Sequence, residues 1–234
     1  MRLPCILVLF LGCGSPDQVQ PEIKQLNEIP LNIRDKTEVD ERTATVNDTL
    51  PEGWVDVKSL IPELVLDIRY ATSDNFVGIQ LYPCERCLLR KEVAEAIAVA
   101  FEALRADNLG LKLFDCYRPR SVQEALWRKV PDARYVTNPA KGSMHNRGAA
   151  VDLTLIDQNG HEIDMGTEYD FFGEKAYHTF TKLPAEVLTA RRKLRDLMQE
   201  VGFKHIRTEW WHYSYQIKNY EVSDFRWPCP GQAL

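Results

Sequence analysis

The chain has little surplus charge and no long apolar run, and each shortage excludes something. The apolar stretch Leu3 to Gly12 covers 10 residues, about half of the roughly 20 that a bilayer-spanning helix requires, so a polytopic membrane protein is excluded. Twenty-nine basic residues face 34 acidic ones, for a net charge of -5. No Lys/Arg cluster interrupts that balance, so the chain lacks the phosphate-tracking surface that nucleic acid needs and no nucleic-acid partner is expected. Phe, Trp and Tyr are absent from Gly14 to Gly53, and every aromatic residue except Phe10 lies at Trp54 or beyond. A polar segment of that kind cannot bury enough apolar surface to offset its ordering entropy, which makes 14–53 a disordered tether and 54–234 the folded domain. There is no internal repeat and no His-Glu-x-x-His sequence, which excludes a solenoid and the common zinc-protease helix. What remains, at 44% hydrophobic and 27% charged residues in 234, has the profile of one globular domain.

The N-terminus reads as a targeting segment. Met1-Arg2 supplies a positive charge, the 10-residue apolar run has the length of a signal-peptide core, and it closes on Leu11-Gly12-Cys13. That closing pattern resembles a bacterial lipoprotein processing site, where cleavage leaves the cysteine as an acylated N-terminus. The expectation is a signal over 1–13, a lipidated Cys13, and a membrane-anchored protein on the periplasmic or outer face of a bacterial envelope.

Within the domain, alternation of Leu64, Leu66, Ile68 and Tyr70 predicts a half-buried strand over 64–70. Val93, Ile97, Phe101 and Leu104 predict an amphipathic helix over 91–108 with Gly110 as its stop. A strand over 111–116 follows. Ser121 and Glu124 have capping-box spacing, predicting a helix that runs to about Val130. A strand over 149–156, a hairpin returning through 161–165 after the turn Asp157-Gln-Asn-Gly160, a helix over 185–201 stopped by Gly202, and two short strands within 203–215 complete the pattern. Strands and helices mix without regular alternation, which favours an α+β fold: a mixed, largely antiparallel sheet with helices packed on it.

Chemistry-bearing residues concentrate in three segments. In Ser143-Met-His145-Asn-Arg-Gly148-Ala-Ala-Val-Asp152, a neutral imidazole and a hard carboxylate flank small residues that let the chain bend. Asp152 stands between Val151 and Leu153 in an apolar strand, so its charge demands a metal, a cation or several donors. In Glu209-Trp-Trp-His212, His212 offers a third ligand and Glu209 a carboxylate that can act as general base, the arrangement of a catalytic zinc with one open position. In Asp115-Cys-Tyr-Arg118-Pro, an always-charged guanidinium on a rigid turn suits an oxyanion.

These segments, together with DIRYATSDNFVG from Asp67 and MGTEYDFF from Met165, resemble the VanX-type D-alanyl-D-alanine dipeptidases, zinc peptidases related to D-Ala-D-Ala carboxypeptidases and to the hedgehog N-terminal domain. The similarity runs in order from about Val55 to Trp227. It implies the D-Ala-D-Ala peptidase/hedgehog-like fold, one Zn2+ per chain held by His145, Asp152 and His212, Glu209 as base, and Arg118 against the tetrahedral intermediate. Tyr70, Ser143 and Asp170 fall at positions that line the substrate pocket. Asp170 suits the free α-ammonium of a dipeptide. The implied reaction is hydrolysis of D-alanyl-D-alanine to two D-alanines. Two other readings share the fold: a wall-peptide carboxypeptidase or endopeptidase, which a carboxylate at the amine end disfavours, and a non-catalytic zinc-binding module, which retention of both Glu209 and Arg118 disfavours. Members of the family are typically cytoplasmic, so an exported member departs from the pattern.

Cys84, Cys87, Cys116 and Cys229 form an even set in an exported chain and allow three disulfide pairings. A four-cysteine zinc cluster and free thiols are the competing readings. A bridge at Cys116 would stiffen the turn that aims Arg118. His161, His178 and His205 have no spacing that requires a metal.

Overall fold

The computed structural model describes residues 50–229; the expected signal over 1–13, with Cys5 and Cys13, and all but 50–53 of the expected tether lie outside them. Contacts with the domain begin ahead of Trp54. Leu50 packs against the core, and the Gly53 carbonyl accepts the Lys91 N–H.

The centre is a five-stranded sheet. In spatial order it consists of β2 (Val65–Leu66), β4 (Leu109–Asp115), β5 (Ala150–Asp157), β7 (Glu209–Tyr215) and β6 (Phe203–Ile206), with only the β2–β4 pair parallel. A separate antiparallel pair joins β1 (Trp54–Asp56) to β3 (Leu88–Arg90). The helices are α1 (Lys91–Arg105), α2 (Arg120–Lys129) and α3 (Ala185–Glu200). Helix α1 lies against β4 and the small pair, and α3 against β5, β6 and β7. The α+β expectation holds. Strand β5 is buried from Ala150 through Ile156, as a central strand covered on both faces must be.

Four local expectations are corrected. The strand over 64–70 is confined to β2, because the Ile68 N–H is taken by the Glu85 carboxylate and the chain then turns through Arg69–Ala71, which carries Tyr70 inward. The chain leaves α1 through Asn108 in the left-handed region (φ 56°), and Gly110 lies inside β4. No capping box forms at Ser121: Pro119 stands at the cap of α2, two residues earlier, and Asp224 accepts from both the Ser121 N–H and its hydroxyl. The turn 157–160 forms around the Asp157 side chain, which accepts the N–H groups of Asn159 and His161. The return is a single bridge, Ile156 to Glu162, with no second strand. Strands β1 and β3 were not foreseen; each is three residues, too short for a periodic signal.

The four cysteines among the described residues are paired. Cys84 is bonded to Cys229 and Cys87 to Cys116, which bears out the disulfide reading over the zinc cluster and the free thiols.

Candidate metal centre and active site

Two irregularities in the sheet aim the site. Between β4 and β5, Leu113 pairs with Leu153 but Asp115 with Asp152, so Phe114 is bulged. Between β6 and β7, His205 pairs with Tyr213 and Ile206 with Glu209, so three residues of β7 oppose one step of β6. Bulges re-aim side chains, and this one lets Glu209 and His212, three apart on a strand, both line one cavity. Because β5 and β7 pair Asp152 with His212, the acidic side chains of Asp115 and Asp152 and the imidazole of His212 lie in a row across three neighbouring strands.

His145 arrives from the 3-10 turn His145–Arg147, closed by Gly148 in the left-handed region at φ 65°. A Cβ on Gly148 would stand 2.3 Å from the Trp54 ring, so only glycine satisfies both the turn and the packing.

The three candidate ligands converge. His145 Nε2 lies 3.1 Å from His212 Nδ1 and 3.3 Å from Asp152 Oδ1, and His212 Nδ1 lies 2.9 Å from the same Asp152 oxygen. All three ligand atoms fall within 4.8 Å of one another. Their far sides are occupied: His145 Nδ1 is 2.7 Å from the Cys116 carbonyl, His212 Nε2 is 2.9 Å from the Ser214 hydroxyl, and the Tyr169 hydroxyl donates to Asp152 Oδ2 at 3.0 Å. Imidazole and carboxylate groups that each face a common centre with one atom and a hydrogen-bond partner with the other are arranged as metal ligands are. The donor set of two nitrogens and one oxygen suits zinc with an open fourth position.

The charge balance fits as well. Asp152, Asp170 and Glu209 line a cavity of about 250 Å³ in which Arg118 is the one Lys or Arg among the lining residues. Burial and the Asp152 charge push the Asp170 carboxyl up to about 7. Burial, then Asp152 and Asp170, push Glu209 well above the usual carboxylate range. Burial opposes ionisation of Asp152 too, but His145 and His212 hold its carboxyl low. A divalent cation would offset this buried excess of negative charge.

Arg118 is fixed from behind. Its Nε and Nη2 donate to Asp115 Oδ2 at 3.0 and 2.6 Å, and its Nη1 to Gln123 Oε1 at 3.0 Å. The Asp115 carboxylate is itself tied by the Tyr82 hydroxyl at 2.7 Å. Tyr70 donates to Asp170 Oδ2 at 3.0 Å and presents its ring to the guanidinium. The Ser143 hydroxyl accepts the Asn146 N–H and so caps the turn that carries His145. Thus all eight residues singled out in the domain (Tyr70, Arg118, Ser143, His145, Asp152, Asp170, Glu209 and His212) line one cavity. Tyr169, Gln123 and Ser214, which hold them, were not foreseen; nothing in spacing couples Tyr169 to Asp152, 17 residues away on another element. Phe76 and Tyr135 add an aromatic rim, with Phe172 against both.

Residues 51–228 match the family model described as D-ala-D-ala dipeptidase. This chain belongs to that family. Among curated relatives, the D-alanyl-D-alanine dipeptidase of Escherichia coli (strain K12) is 35% identical over 176 residues, covering 75% of this chain and 91% of that protein. The D-alanyl-D-alanine dipeptidase of Enterococcus faecium is 30% identical over 197 residues, covering 75% of this chain and 98% of that protein. A solved vancomycin resistance D,D-dipeptidase, in complex with a D-Ala-D-Ala phosphinate analog, is matched at 20% identity and a TM-score of 0.36, over 55% of this chain and 51% of that one. That structural likeness is low, and the family assignment rests on the sequence matches. Family membership makes the chain a hydrolase.

Proposed function

We propose that the protein cleaves D-alanyl-D-alanine into two D-alanines with one zinc ion held by His145, Asp152 and His212. The observation that carries this reading is the convergence of those three donors, each braced from behind, in the cavity that also holds Glu209 and Arg118. Zinc in a three-ligand site supplies Lewis acidity, polarising a peptide carbonyl and acidifying water to a pKa of about 7.

The chain's own groups do the rest. Glu209, whose burial raises its proton affinity, takes a proton from the attacking water and delivers it to the departing amine. Arg118 keeps a second N–H on each terminal nitrogen beyond those given to Asp115 and Gln123, and these face the oxyanion that develops at the scissile carbon. Asp170, with Tyr70 bonded to it, receives the substrate ammonium, whose positive charge favours the ionised carboxylate. Ser143 offers a neutral hydroxyl. A small cavity with a buried carboxylate at the amine end supports a free dipeptide over a longer or acylated wall peptide.

We also read the chain as exported and anchored through an acylated Cys13. Two disulfides support an oxidising compartment. Turnover of D-Ala-D-Ala, L-Ala-L-Ala and N-acetyl-D-Ala-D-Ala with zinc present tests the substrate assignment: D-Ala-D-Ala should be strongly preferred, and equal or better cleavage of the acetylated compound would replace it with the wall-peptide reading.

A further inference from the structure

Cys116 touches both halves of the site through its backbone. Its carbonyl is the partner of His145 Nδ1 at 2.7 Å, and its N–H donates to Asp115 Oδ1 at 2.9 Å, on the carboxylate that grips Arg118. The two segments are further latched: the Arg118 N–H donates to the His145 carbonyl at 3.2 Å, and Asn146 Nδ2 to the Arg118 carbonyl at 2.8 Å. A small shift of the 115–118 turn therefore moves an imidazole and a guanidinium together.

Little in the main sheet holds that turn on its outer side. The ladder between β2 and β4 ends at Leu66 and Leu113, with one further bond from the Asp67 N–H to the Leu113 carbonyl. Beyond it the neighbour is the segment 67–87, which carries no strand, only the 3-10 turn Arg69–Ala71 and a turn closed by the Gly78 N–H on the Asn75 carbonyl. The turn is fastened to the end of that segment by the Cys87–Cys116 disulfide, reinforced by the Tyr117 N–H to the Leu88 carbonyl at 3.1 Å. Both cysteines are fully buried.

Resting on the zinc dipeptidase reading, we propose that the Cys87–Cys116 disulfide is a positioning crosslink. It holds the Cys116 carbonyl that orients His145 and, through Asp115, the Arg118 guanidinium, so metal retention and turnover depend on this pair being oxidised. Reduction by a dithiol would exchange the Cys87–Cys116 S–S bond for an S–S bond within the reductant. Two electrons and two protons pass to the cysteine sulfurs, leaving two thiols.

The test compares Cys87→Ala/Cys116→Ala with Cys84→Ala/Cys229→Ala, which removes the other bridge and touches neither Asp115 nor His145. At matched folded fraction, the first variant should release zinc to a chelator about 10- to 100-fold faster and lose kcat by a similar factor, with KM within about two-fold. The second should keep both near wild type even though its Tm falls. Equal behaviour of the two variants, or wild-type zinc release in the first, overturns the proposal. Should the first variant not fold, the wild-type chain with zinc is titrated with dithiol and the thiols mapped by alkylation. Zinc loss should track the opening of Cys87–Cys116; zinc retained after that pair has opened, or lost before it, overturns the proposal. A wild-type protein that holds no zinc overturns the zinc reading itself, whereas zinc held equally with and without the bridge overturns this inference alone.

Discussion

His145 and His212 each present one ring nitrogen to a shared centre and the other to an oxygen, and that division of labour separates the proposed ligands from the other side chains of this site. Glu209 contributes to neither set of bonds among the three ligand atoms. Glu209→Gln should therefore keep zinc and lose kcat by at least about 100-fold, since proton transfer by a positioned group contributes about that much or more. A metal analysis beside the kinetics checks it, and an active Glu209→Gln variant would assign the base elsewhere. Tyr169→Phe removes only the hydroxyl that holds Asp152 Oδ2. Loss of such a bracing bond typically weakens metal binding or activity about 10- to 100-fold, and competition for zinc with a chelator reads it directly. At this scale the sequence announced the ligand types, because a carboxylate inside an apolar strand and a His-Gly turn both demand an explanation. It did not announce Tyr169, Gln123 or Ser214, whose partners are brought to them only by tertiary packing.

At the scale of elements, the site depends on where regular structure stops. Helices α1 and α3 were legible because their apolar positions repeat over 15 and 16 residues, long enough for periodicity to dominate. The β7 bulge was not: no residue type marks it, and only the register against β6 reveals why Glu209 and His212 reach one cavity. The capping box at Ser121 failed for a related reason, since Asp224, remote in sequence, supplies the acceptor. Gly148 was legible as a bend, though not as a contact with Trp54. Gly148→Ala should destabilise the domain by about 1–3 kcal/mol from backbone strain alone, more with the Trp54 clash, and should weaken zinc binding by displacing the turn of His145. Urea unfolding with zinc and without it separates the two effects. Unchanged stability in the absence of zinc would contradict the strain argument.

For the molecule as a whole, crosslinks and half-buried histidines set how the domain responds to its surroundings. The two disulfides span 145 and 29 residues, and crosslinks of this size typically stabilise by about 3–5 kcal/mol. The cysteine count announced disulfides, but three pairings were open and only the fold selects among them. His178 packs against His205 and has its pKa lowered to about 3 by burial, by His205 and by Arg195. In the unfolded chain it titrates near about 6.5. Protonation is thus easier unfolded than folded, so its contribution to stability is full above about 6.5 and is lost as pH falls from there toward about 3. His178→Asn should flatten the fall of Tm across that window; parallel Tm profiles for variant and wild type would contradict this. The proposed export and acylation at Cys13 make their own prediction: the full chain should partition into detergent and Cys13→Ser should not, with partition of both alike contradicting the lipid anchor.

The D-Ala-D-Ala dipeptidase activity proposed for this chain rests on one zinc held by His145, Asp152 and His212. Its most direct test is to strip the full chain of metal and titrate zinc back while following D-alanine release from D-Ala-D-Ala. Activity should rise and break at one equivalent in the wild type, and His212→Ala should neither retain the metal nor recover. Activity without metal, a break at any other stoichiometry, or a His212→Ala variant that keeps a full equivalent of zinc would contradict the account.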